Sequence, residues 1–211
     1  MHAPRASGRL LAWLGVSFAI TLAWSASGPK DRVVWWLEVL PALIGAVVLL
    51  ATWRRFPLTP LLYVLIWAHA LVLVVGGHYT YAEVPLFNLI RDAFDLERNH
   101  YDRVGHFMQG FVPALIAREI LLRVTPLKPG GILFFLCTCV ALAISAFYEM
   151  IEWWVAVASG TGADAFLGTQ GDVWDTQWDM FLALIGALAS QLALGWLQDR
   201  QLGALPGVRS V

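Results

Sequence analysis

Charge is scarce in this sequence. Asp, Glu, Lys and Arg make up 14% of 211 residues, and Lys+Arg 14 against Asp+Glu 15 leave a net charge of -1. A soluble domain of this size carries about 25% charge. The missing basic surplus excludes a soluble nucleic-acid binder, so no nucleic-acid partner is expected. Disorder is excluded too, because 59% of the residues are hydrophobic and the mean hydropathy is +0.66. Cysteine is nearly absent. Cys137 and Cys139 stand two apart in an apolar run, point to different sides of a helix, and therefore form no disulfide framework. No internal repeat stands out.

Tryptophan, by contrast, is abundant at 11 residues, and it collects at membrane–water interfaces. A membrane-crossing helix needs about 20 mostly apolar residues. Six runs approach this: roughly 10–26, 34–52, 58–77, 105–124, 131–158 and 180–197. The chain is expected to be an all-α polytopic membrane helix bundle of about six spans, a single integral domain over 1–211 whose first partner is the lipid bilayer. The first run also resembles a signal peptide, with residues 25–28 (SASG) as a cleavage region. With both termini in the cytoplasm, the inner side holds Arg5, Arg9, Arg54, Arg55, Arg123, Lys128, Arg200 and Arg209. The outer side holds Lys30, Arg32, Arg91, Arg98 and Arg103. The excess of inner positive charge favours that orientation.

The acidic residues converge. Eleven of the 15 lie in or beside the two later outer loops: Glu83, Asp92, Asp95, Glu97, Asp102, Glu149, Glu152, Asp164, Asp172, Asp175 and Asp179. His78, His100 and His106 join them. Asp102 and His106 are four apart and share a helix face, which Gln109 extends. Glu149 and Glu152 are three apart, and a 28-residue span would let them project past the hydrocarbon with Trp153 and Trp154 at the interface. Asp172, Asp175 and Asp179 form one stripe if the last helix begins early. Glu83, Asp92, Asp95, Glu97 and Asp164 read as solvated loop acids. His69 reads as a hydrogen-bonded interhelical residue, Arg118 as a snorkelling cation, and Glu119 as pairing across helices or marking a polar path.

Imidazole with carboxylates can bind Zn²⁺ or Mn²⁺, and carboxylates alone suit Mg²⁺. Crowded carboxylates also supply groups for acid–base work. Asp102, His106, Glu149, Glu152, Asp175 and Asp179 are the candidate ligands or catalytic groups, with His78 as a peripheral ligand. The role expected of such a site is hydrolase- or transferase-like, on a lipid-linked or cell-envelope intermediate. A small ion-coupled transporter is one alternative. The other is a noncatalytic scaffold or accessory protein whose 78–104 loop, with Phe87, Leu89, Ile90 and Phe94, forms a surface amphipathic helix for a protein partner.

Four strings carry a family resemblance: residues 78–85 (HYTYAEVP), 98–106 (RNHYDRVGH), 149–153 (EMIEW) and 168–179 (GTQGDVWDTQWD). They resemble the YjdF-type bacterial inner-membrane family, a domain of unknown function, over nearly the whole chain. More loosely, the second half is similar to VanZ-like membrane proteins. In their pattern Asp102, His106, Glu149, Asp175, Asp179 and Gly186 fill matching places, while Ala183 stands where an Asn is expected. Neither resemblance implies a particular reaction.

Overall fold

A computed structural model describes residues 6–159 and 169–204. Arg5, Asp164 and Arg209 lie outside the described residues. Within them the chain is all helical: α1 (Gly8–Ser27), α2 (Arg32–Thr52), α3 (Pro60–His78), α4 (Pro85–Ala93), α5 (Tyr101–Val124), α6 (Gly131–Ser159) and α7 (Asp175–Leu202). The helix starts follow local chemistry. Asp31 accepts hydrogen bonds from the Val33 and Val34 amides to cap α2. Pro60 and Pro85 open α3 and α4, where a missing N–H does no harm.

Five helices, α1, α2, α3, α6 and α7, are long and apolar enough to cross a membrane. The protein is a polytopic membrane helix bundle. The sixth expected span lies in α5, which falls outside this set because it carries Asp102, Arg103, His106, Arg118, Glu119 and Arg123. Its 24 residues measure about 36 Å. The charges are tolerable because α5 is the central helix, packed on α3, α6 and α7.

α5 and α7 run in the same direction and touch backbone to backbone. A Cβ added at Gly110 would come within 1.8 Å of the Ala183 carbonyl, and one at Gly186 within 2.1 Å of the Phe107 carbonyl. Ala114, Ala141 and Ala187 continue this small-residue seam. The fully buried Ala183 is therefore a packing residue of this seam. On α6, Leu133, Cys137, Ala141, Ser145 and Glu149 form the buried stripe at four-residue spacing, and Cys139 faces outward.

The 78–104 loop does contain the expected short helix. α4 leaves Leu86, Leu89, Ile90 and Phe94 exposed, while Phe87 packs edge-on against Tyr101, with ring centroids 5.2 Å apart. Such an apolar face suits the headgroup layer.

Candidate functional site

The Tyr101 end of α5, the Ser159 end of α6 and the Asp175 end of α7 meet around His106. α5 begins at Tyr101, early enough to put Asp102 and His106 on one helical face, with His106 Nε2 3.4 Å from Asp102 Oδ1. α7 begins at Asp175, so Asp179 lies one turn inside it and brings Oδ2 to 3.8 Å from the same nitrogen. Glu149 Oε1 lies 3.6 Å from the other nitrogen, Nδ1. Asp102, His106 and Asp179 form one buried group able to hold a metal ion, and His106, Glu149 and Glu152 form another.

Two arginines organise these carboxylates. Arg98 Nη2 sits 3.5 Å from Asp102 Oδ2, and Arg103 donates to Asp179 Oδ1 at 2.5 Å. Each aspartate thus has one oxygen turned to a guanidinium and the other turned to His106 Nε2. Asp175 forms a short ion pair with Arg98 and lies 2.9 Å from Arg103, while Asp172 contacts Arg103 at 3.0 Å. The loop that carries Arg98 is itself clasped. The buried Asn99 exchanges backbone hydrogen bonds with the Gln170 side chain, and its own side chain donates to the Val84 carbonyl and Asn88.

His106 Nδ1 lies 3.1 Å from Gln109 Oε1 while Nε2 faces Asp102 and Asp179, so a ring proton held on Nδ1 would leave the Nε2 lone pair on the carboxylate side. A histidine ligand usually donates its other N–H to a carbonyl or carboxylate. The spacings of 3.4 and 3.8 Å also suit ligand atoms around a small ion. Metal–ligand bonds of about 2.0–2.2 Å give tetrahedral edges of about 3.3–3.6 Å.

The remaining predicted residues are placed as follows. Glu149 and Glu152 are buried and face the bundle, while Trp153 and Trp154 are exposed. The two carboxylates are thus sheltered by the helix packing while the tryptophans beside them are not. Asp175 is turned to the two arginines. His78 stays apart: its ring lies against Trp24 and Tyr79, and its Nδ1 is 2.9 Å from the Ser25 carbonyl. His100 joins neither group. Partial burial and the charges of Arg98 and Arg103 lower its pKa, leaving it neutral at pH 7. His69 Nε2 is buried without a hydrogen-bond partner, contrary to the interhelical bond expected of it.

Sequence reasoning missed several participants. Glu38 of α2 is buried and accepts a hydrogen bond from Tyr148 Oη at 3.1 Å. Tyr81 is folded inward by a turn in which Thr80 and Tyr81 both have positive φ, +57° and +55°. Its ring occupies the space a side chain at Gly76 would need, since a Cβ there would lie 2.3 Å from it. Its buried Oη has no hydrogen-bond partner. A cavity of about 270 Å³ opens beneath, headed by Glu38, Tyr81, Asp102, His106, Tyr148 and Glu152 and walled below by apolar residues of α2, α3, α5 and α6. Two prolines line it, Pro41 and Pro113, and each removes one helical hydrogen bond from the helix beside the cavity.

The family of predicted membrane proteins designated DUF2238 matches residues 10–200. The chain belongs to this family. It is 53% identical to the inner membrane protein YjdF of Escherichia coli (strain K12) over 187 residues, covering 89% of this chain and 90% of that one. No solved structure matches it. The membership and the apolar helices make this DUF2238 chain a bacterial inner-membrane, multi-pass protein. The expected VanZ-like likeness is not shown by these matches.

Proposed function

We propose that the protein binds a divalent cation, Zn²⁺, Mn²⁺ or Mg²⁺, through His106 Nε2, Asp102 and Asp179, and uses it in hydrolysis or group transfer on a lipid or cell-envelope intermediate. One observation carries the reading: two carboxylate oxygens, each oriented by an arginine on the opposite oxygen, converge on a histidine nitrogen whose partner nitrogen faces Gln109. Charge supports it. Among the described residues, Glu38, Asp102, Glu149, Glu152, Asp172, Asp175 and Asp179 gather around Arg98, Arg103 and His106, seven acids to three basic groups. Buried charge is costly unless it is paired, neutralised or bound to metal.

The bound ion would polarise a phosphoryl or acyl oxygen or activate water. Glu149 and Glu152, which face the other side of His106, are placed to accept or donate a proton. Asp172 and Asp175 hold the arginines and are positioning residues. Both termini lie in the cytoplasm in this reading, which puts the site at the extracytoplasmic end.

The test is metal analysis of the purified full-length protein. About one divalent ion per chain is expected, lost in Asp102→Ala, His106→Ala and Asp179→Ala and kept in His78→Ala. Equal metal content in all of these variants and the parent would remove the metal reading.

A further inference from the structure

α1 and α2 are pinned together at the end nearest the site. Trp35 Nε1 donates to Ser25 Oγ at 2.8 Å, and that hydroxyl donates to the Val74 carbonyl of α3 at 2.8 Å. Further along, a second cavity of about 610 Å³ lies among α1, α2 and α3, with almost wholly apolar walls that include Leu11, Phe18, Leu49 and Trp67. An apolar void this large in a bilayer is filled by hydrocarbon. What distinguishes this one is its neighbour. Ala42, Ile66 and Ala70 line both this groove and the polar cavity below His106, so two alanines and one isoleucine are the boundary between them.

The dimensions match a lipid chain. Along α2 the groove runs from Ala42 to Trp53, about 16 Å at 1.5 Å per residue. One leaflet of hydrocarbon is about 15 Å deep, half of a core of about 30 Å. The polar cavity adds what a head group needs: a cation site, the unpartnered Tyr81 hydroxyl and the unpartnered His69 Nε2. Its carboxylates would repel an oxyanion unless a cation stood between them.

We propose that the two cavities are one site for a single-chain lipid, its tail in the apolar groove and an oxyanion head, phosphate or carboxylate, in the polar cavity beside His106. Lateral access is available because α2 packs on α3 and α6 packs on α5 and α7, while the Tyr148–Glu38 hydrogen bond bridges α2 and α6. Pro41 and Ile144, both exposed, mark the rim of the polar cavity there. The choice of an anionic head rests on the metal reading above; the tail groove does not.

The experiment uses full-length protein in phosphatidylcholine vesicles. Three single-chain probes carry a diazirine at the tail end, with a phosphate monoester, a carboxylate or an uncharged alcohol as head. Adducts are expected on α1 and α2 between Leu11 and Phe18 and between Leu49 and Trp53. Yield should be at least fivefold higher for one of the two anionic heads than for the alcohol, and that head identifies the source. Ala42→Phe blocks the boundary. Gly15→Leu and Gly45→Leu fill the groove and the polar cavity at positions where an added Cβ meets nothing within 4 Å, so the fold is spared.

Each of these variants should lower adduct yield at least fivefold and keep the parent metal content. Ile44→Phe, on the lipid-exposed side of α2, should do neither. Yields that match the parent in all three blocked variants overturn the proposal, as do yields indifferent to the head group. Bound metal with indifferent labelling overturns the lipid site and leaves the metal reading. Labelling that the blocked variants abolish in a metal-free parent does the reverse.

Discussion

The two ends of α5 handle buried charge in opposite ways. At the end near Val124, Glu119 accepts from the Thr59 amide at 3.1 Å, the Thr59 hydroxyl at 2.7 Å and Arg123 at 2.9 Å. Arg118 makes a two-pronged pair with Asp199 at 2.7 and 3.0 Å, and also donates to Gln198. Two acids meet two arginines in that cluster, with hydrogen bonds throughout. At the end near Tyr101, acids outnumber cations, and Asp102 Oδ2, Glu149 Oε1 and Tyr81 Oη are buried without hydrogen bonds. A balanced, saturated network locks helices together. An unbalanced, unsaturated one leaves polar groups that a bound ion or ligand could satisfy.

That contrast can be broken experimentally. The largest effect expected is at the contact both ends share: Gly110→Val, driven into the Ala183 carbonyl, should leave no folded protein by size-exclusion chromatography. Next, Glu119→Ala should destabilise by about 3 kcal/mol, since it removes the counter-charge of Arg123, which keeps the Pro57 carbonyl, and leaves the Thr59 amide without its acceptor, as read by thermal unfolding in detergent. Chelation should come third. It should lower the parent's stability by about 3 kcal/mol from metal present at 100 times its Kd, and leave His106→Ala unmoved. Glu152→Gln should differ from Glu119→Ala by costing little, changing the stability of the chelated protein by no more than about 1 kcal/mol, because Gln nearly matches the shape of a buried carboxyl that is crowded by other acids. If both glutamate substitutions destabilise alike, the distinction between the ends is lost. The smallest effect belongs to Glu83→Gln. It breaks an exposed pair with Lys30 and should change stability by no more than about 0.5 kcal/mol.

The helices were readable from apolar runs, and the Asp102–His106 pair from four-residue spacing, because both are local properties of one helix. The acids of the two later loops and the helix ends beside them were readable as a set because alternating helices bring those ends together. Glu38 was not, since its partner Tyr148 lies 110 residues away on another helix. Arg98 and Arg103 were visible only as exceptions to the positive-inside count. The structure gives the reason: their charge is matched by Asp102, Asp172, Asp175 and Asp179. Arg118 was expected to reach toward water and is instead buried against Asp199, because a long-range partner on α7 is invisible to local pattern.

The glycine contact between α5 and α7 has a mechanical consequence. With no side chain between the two backbones, the seam at Gly110 and Gly186 sets how close α5 and α7 lie, and so fixes the width of the gap between His106 on one helix and Asp179 on the other. Any residue with a Cβ at either glycine would wedge the helices apart and widen that gap.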